Sequence, residues 1–135
     1  MLILDSNTIS YYFRGDPLVV PRLQVLSPAD IGVPAIVEYE RRYGLLRLPP
    51  EAANPRLVAL AALLRPMKVL PFDSECAAHA ARIRAELEAA GTPIGPHDTL
   101  IAATVLRHQA TLVTRNAREF SRVQGLQWLN WHETI

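Results

Sequence analysis

Five short apolar stretches recur along the chain, each bounded by turn formers or charges: LIL (2–4), DIGVP (30–34), KVLPF (68–72), ATLVT (110–114) and LQWL (126–129). Each reads as a buried strand. The segments between them have helical spacing: roughly 6–26 with a break around Asp16-Pro17, then 35–47, 52–64, 73–90 and 96–109, with a short one after Asn116. This alternation constrains the fold more than any other feature, because strands joined through a helix pair in parallel and need apolar cover on both faces. The expected fold is α/β: a central, mostly parallel sheet of about five strands flanked by helices.

Several element ends are marked chemically. Asp73 stands where an N-cap belongs, Gly91 where a helix stops, Gly95-Pro96 at a helix start and Leu48-Pro49-Pro50 at a helix exit. There is no internal repeat or linker-like tract. At 135 residues, half of them hydrophobic, the chain supports one well-buried core and is too short for two ordinary domains.

Net charge is +1, so no global field marks a histone-like or acidic-tail protein. Thirteen of the 14 basic residues are Arg, with Lys68 the single lysine. Arg reads phosphate bidentately, which permits RNA binding, although a GC-rich coding sequence gives the same bias. Cys76 is the single cysteine and is expected in the core; one thiol excludes an intramolecular disulfide and a cysteine-rich zinc site. Without an apolar leader or a long apolar run, the chain is expected in the cytoplasm and not in a membrane.

Carboxylates occupy positions where apolar residues belong. In open α/β sheets, sites form outside the carboxyl ends of the strands, and Asp5 directly follows the first one. It also suits the N-cap of the next helix. In the second helix, with Ile36 at 0°, Val37 falls at about 100°, Tyr43 at about 340°, Gly44 at about 80° and Glu40 at about 40°. Glu40 thus lies in the apolar stripe, while Glu38 falls beside Arg41 and Arg42 on the opposite, solvated face. A core-facing acid costs several kcal/mol unless it is paired, for example with an internal Arg, or binds a metal.

The same wheel turns Asp98 inward, between Ala102 at about 40° and Val105 at about 340°. A first-turn carboxylate also gains from the helix dipole, but that gain does not require the inward face. Asn116 follows the fourth strand and has capping-box-like spacing to Glu119; either could instead present an oxygen to a cation. Convergent carboxylates without a His or Cys partner make a hard oxygen site, suited to Mg²⁺, with Mn²⁺ as a substitute. Such ions serve phosphodiester hydrolysis by activating water and shielding the leaving oxygen.

The segments LDSN (4–7), YERRYG (39–44), GTPIGPHDTLIAA (91–103) and LVTRNAREFSRVQGLQWLNW (112–131) resemble PIN-domain ribonucleases, and most of all the VapC toxins of bacterial toxin-antitoxin pairs. The likeness runs from end to end, which implies one PIN domain over 1–135. It implies that Asp5, Glu40 and Asp98 are the acidic site residues, with Asp5 and Asp98 direct magnesium ligands. PIN domains often carry a fourth acid where this chain has Asn116; an amide oxygen can ligate but adds no charge to hold a second ion. Glu119 could contribute through water. The resemblance further implies an RNA substrate, a homodimer, a cognate antitoxin whose C-terminal segment fills the active-site groove, and operator DNA bound through that antitoxin.

Other residues carry weaker signals. Arg115, Arg118 and Arg122 have helical spacing and could follow an RNA backbone or form a solvated face. His97 lies at about 260° on the Asp98 wheel, which favours a surface role over catalysis. His79, His108 and His132 have no ligand spacing, and Trp128 and Trp131 read as core and interface anchors. Two alternatives remain: a phosphatase with Asp5 as nucleophile, disfavoured because Asn7 stands where a proton-donating acid is needed, and a catalytically inactive PIN-like binding module. Retention of Asp5, Glu40 and Asp98 argues against the module. A phosphoacceptor receiver domain is disfavoured because Lys68 precedes the middle strand.

Overall fold

The computed structural model describes residues 1–133. Its strands are β1 (Leu2–Leu4), β2 (Ile31–Pro34), β3 (Lys68–Leu70), β4 (Thr111–Val113) and β5 (Gln127–Leu129). The helices are α1 (Ser6–Phe13), α2 (Val20–Gln24), α3 (Ala35–Leu46), α4 (Pro50–Leu64), α5 (Ser74–Ala89), α6 (Pro96–Arg107) and α7 (Ala117–Phe120). The sheet order is β3-β2-β1-β4-β5, and every pairing is parallel. The expected α/β class and five-strand sheet are therefore found, with no antiparallel edge.

This order places the functional crevice. From β1 the chain moves outward through β2 to β3, then returns to lay β4 on the other side of β1. The reversal falls between β1 and β4, and loops at their carboxyl ends diverge there to leave a crevice. Register pairs Leu4 with Val113. The residues that follow, Asp5 and Thr114, consequently emerge side by side.

Burial divides the strands. Ile3, Leu4, Ile31, Val33, Leu112 and Val113 are essentially inaccessible, and each such side chain contributes about 1.5–3 kcal/mol of transfer free energy. The expectation of five buried strands fails at the edges: Lys68 and Val69 of β3 and Gln127 and Leu129 of β5 are exposed or nearly so. An edge strand has a neighbour on one side only, and a charged residue there discourages pairing with another chain. Cys76 is buried, as expected.

The predicted breaks are present. Arg14 ends α1, Gly15 takes φ +75°, and the Asp16 carboxylate accepts from Leu18 N–H (2.8 Å) and Val19 N–H (3.2 Å) to start the next turn. After α5, Gly91 N–H bonds the Glu88 carbonyl and Thr92 N–H the Leu87 carbonyl, the paired bonds of a Schellman stop. Pro50 opens α4 rather than merely ending α3, so that helix begins two residues before the predicted boundary. No helix of the described residues is long and apolar enough to cross a membrane.

Candidate active site

Asp5 is 4% exposed and fixed on three sides. Its Oδ1 accepts from Thr8 N–H (2.8 Å) and the Thr8 hydroxyl (2.6 Å), and its Oδ2 accepts from the Thr114 hydroxyl (2.6 Å). Thr114 Oγ1 in turn accepts from Asn116 N–H at 2.9 Å. Asp5 itself is the N-cap of α1, with Ser6 and Asn7 already helical. Cap and site are compatible, since one oxygen serves the helix end while the carboxylate stays at the crevice.

Glu40 lies midway along α3, with its side chain one quarter exposed. Oε2 is 3.1 Å from His97 Nδ1, whereas Oε1 is buried and has no hydrogen-bond partner among the described residues. A buried unsatisfied carboxylate oxygen costs roughly 1–3 kcal/mol or more. The internal Arg partner considered from the sequence is not found; Glu38, by contrast, pairs with Arg42 at 2.7 Å on the surface. The wheel's contrast of a solvated Glu38 with an inward Glu40 is not found, since both side chains are one quarter exposed; they differ in their partners. Tyr43 is 57% exposed and Gly44 is exposed, whereas Val37 is buried and Leu45 packs against the core, so the stripe runs along a different line from the one drawn through Tyr43 and Gly44. Arg41 is half-buried rather than solvated, and burial, followed by the nearby Arg14 charge, holds its guanidinium below the ordinary value.

Asp98 sits in the first turn of α6, where Gly95-Pro96 starts the helix. Its Oδ2 is 3.5 Å from Asn116 Nδ2, and the same amide donates to Glu119 Oε2 at 3.1 Å. Burial pushes the Asp98 carboxyl up to about 7, reinforced by its hydrogen bond to Glu119 and by the negative charges of Glu119, Glu40 and Asp5. Glu119 moves down, mainly because Asp98 donates to it. The two acids therefore titrate as a pair, and the proton they share below about pH 7 sits on the Asp98 side.

Asp98, Asn116 and Glu119 are thus in direct contact, and Glu40 and Asp5 lie near enough for their charges to act on Asp98. The capping-box spacing of Asn116 is real but unused: its side chain makes no bond to the α7 N-terminus and turns to the two acids instead. Among the described residues, no three His, Cys, Asp or Glu side chains are already arranged to hold a metal ion. The donor set is nevertheless all oxygen, one oxygen is orphaned, and burial together with the neighbouring acids raises the Asp98 carboxyl. These features fit a hard divalent cation replacing a proton.

Two participants escaped the sequence. Thr114 directly follows β4, and only the sheet order shows that β4 adjoins β1. His97 was assigned a surface role; it is indeed half-exposed, but it contacts Glu40 from another helix. The arginines divide three ways: Arg115 covers the Tyr11 ring at 5.6 Å, Arg122 donates to the Pro93 carbonyl at 3.0 Å, and Arg118 is exposed. His132 pairs with Asp16 at 3.0 Å, away from the crevice acids.

Comparison with known proteins agrees with this geometry. The chain is 32% identical over 130 residues to the tRNA(fMet)-specific endonuclease VapC of Salmonella typhimurium, covering 96% of each sequence. It is 33% identical over 139 residues to Toxin FitB of Neisseria gonorrhoeae, covering 98% of this chain and 100% of that one. The fold superposes on the crystal structure of DNA-bound VapBC from Salmonella typhimurium with a TM-score of 0.88 at 30% identity, over 96% of this chain and 97% of that one. The PIN domain profile matches residues 2–126, from β1 to the threshold of β5. Parallel fold, profile and relatives thus agree, and the chain belongs to the PIN domain family.

Proposed function

We propose that this protein is the toxin of a type II toxin-antitoxin pair and acts as a metal-dependent endoribonuclease, with Asp5, Glu40 and Asp98 as its acidic residues and Asn116 as the fourth site residue. The observation that carries the reading is the buried, unpartnered Glu40 Oε1 close enough to Asp98 for its charge to help raise that carboxyl. Such a site is incomplete without a cation. Asp5 and Asp98, with Glu40, are the residues that would hold Mg²⁺, or Mn²⁺ in its place, because compact oxygen donors suit those ions.

When bound, the ion supplies water activation and neutralises charge on the phosphodiester. The chain's own side chains do the rest. Thr8 and Thr114 hold Asp5 in one orientation, so no reorganisation is needed there. Asp98 releases its proton as the site fills, and Asn116 keeps Asp98 and Glu119 within reach of one amide.

The partners follow from the relatives. Structural neighbours include VapBC and FitAB complexes, which supports a cognate antitoxin partner for this chain. A homodimer, contact with operator DNA only through the antitoxin, and residence in the cytoplasm with its RNA substrate complete the reading.

The test is tightly induced expression of the chain beside an Asp5→Asn variant, with new RNA 5′ ends mapped in the cells. Growth arrest with discrete new ends from the parent alone supports a specific ribonuclease and names its target. Equal silence from two soluble, folded proteins refutes it and favours the binding module.

A further inference from the structure

The contact between His97 and Glu40 joins two helices one residue away from two crevice acids. His97 precedes Asp98 on α6, and Tyr39 precedes Glu40 on α3. His97 Nδ1 lies 3.1 Å from Glu40 Oε2, and its ring meets the Tyr39 ring edge-on, with centroids 5.7 Å apart and planes at 87°. Two contacts of different kinds therefore set the position of one imidazole. Glu40 has no other hydrogen-bond partner among the described residues.

We propose that His97 is a positioning residue for Glu40: by donating Nδ1–H to Oε2 and bracing against Tyr39, it holds the carboxylate so that Oε1 is the oxygen left to bind the divalent cation. This rests on the metal-site reading above and deepens it. A carboxylate oxygen only accepts, so the hydrogen must lie on Nδ1, which the neutral ring provides in one tautomer. The role needs no change of charge on His97. Without the donor, Glu40 would have no fixed rotamer, and a cation would have to order a free side chain on binding. Hydrogen bonds that orient ligating carboxylates typically change metal affinity by about 10–100-fold when removed.

The alternative is a surface hydrogen bond that adds a little stability and nothing else. Two substitutions separate the roles. His97→Leu keeps an apolar body against Tyr39 but has no donor; His97→Asn keeps an N–H near the place of Nδ1. The readout is Mn²⁺ affinity, measured by electron paramagnetic resonance of the free ion during titration of the full chain, with metal-free melting temperature measured alongside. Asp5→Asn serves as the control for the site itself.

The expected result is a Kd for Mn²⁺ weakened about tenfold or more in His97→Leu and largely recovered in His97→Asn, with every variant folded at the titration temperature by its metal-free melting curve. A parent that binds Mn²⁺ while His97→Leu binds it equally tightly overturns the positioning role and leaves the metal site standing. A parent whose Mn²⁺ binding is no stronger than that of Asp5→Asn overturns the metal-site reading, and the positioning role with it.

Discussion

The Thr114 hydroxyl donates to Asp5 Oδ2 at 2.6 Å, so the first residue beyond β4 fixes the first residue beyond β1 across the point where the strand order reverses. Their separation of 109 residues in sequence is closed by the parallel register, which pairs Leu4 with Val113. The sheet therefore positions the carboxylate as much as the helix cap does.

Removing that hydroxyl tests the relationship. Thr114→Val preserves shape but leaves one oxygen of a buried carboxylate without its donor and Asn116 N–H without its acceptor. An unsatisfied buried group costs about 1–3 kcal/mol, so the urea midpoint should fall with the slope unchanged. Thr114→Ser should return most of the loss, since it retains the oxygen. An unchanged midpoint in Thr114→Val would show that Asp5 is held by Thr8 alone.

The metal-free protein should lose stability as pH rises through the range in which Asp98 ionises. Its folded value of about 7 lies above its ordinary value of 3.8, so between those values the native state binds more protons than the unfolded chain and stability falls with pH. Glu119 moves in the opposite direction, but its contribution lies below its ordinary 4.5. From about pH 5 to 7 the Asp98 slope should therefore dominate. Urea unfolding across that range should show a decline in the parent and a flatter profile in Asp98→Asn; equal slopes would remove the shared proton from the account of the site.

Metal should reverse the penalty. Binding to the native state alone adds RT ln(1 + [L]/Kd), about 2.7 kcal/mol at one hundred times Kd. Melting with Mn²⁺ should rise accordingly in the parent and stay flat in Asp5→Asn. That variant should fold, because Asn is also a good N-cap, and the Thr114 hydroxyl can rotate to accept from the new amide. A parent insensitive to both Mg²⁺ and Mn²⁺ would favour an inactive binding module.

The proposed site acids drew attention in the sequence by breaking local patterns. Asp5 ends an apolar strand and Asp98 interrupts a buried helical stripe, and desolvating a charge is costly enough to make such interruptions informative; Glu40 was singled out by a stripe that is only partly buried. Their neighbours were not legible. Thr114 meets Asp5 only because β4 adjoins β1, and His97 meets Glu40 only because α3 and α6 pack together; neither pairing is encoded by spacing within one element. The helical wheel also drew the buried stripe of α3 through Tyr43 and Gly44, whereas both are exposed and Arg41 and Leu45 are the partly buried residues there. The edge strands failed for the same reason: apolar composition does not say which strands have two neighbours.

Asn116 offers the sharpest test of how charge limits the site. Asn116→Asp replaces an amide that donates to both Asp98 (3.5 Å) and Glu119 (3.1 Å) with a further acceptor. Without metal, the substitution adds a negative charge beside a pair already sharing a proton, so the melting temperature should fall and the ionisation of Asp98 should move to still higher pH. With metal, the same charge becomes favourable, because an additional carboxylate strengthens the hold on a hard cation. The variant should accordingly melt below the parent in chelator, while its gain from saturating Mn²⁺ should exceed the parent's. A variant destabilised equally with and without Mn²⁺ would show that Asn116 serves only to bridge its two acids.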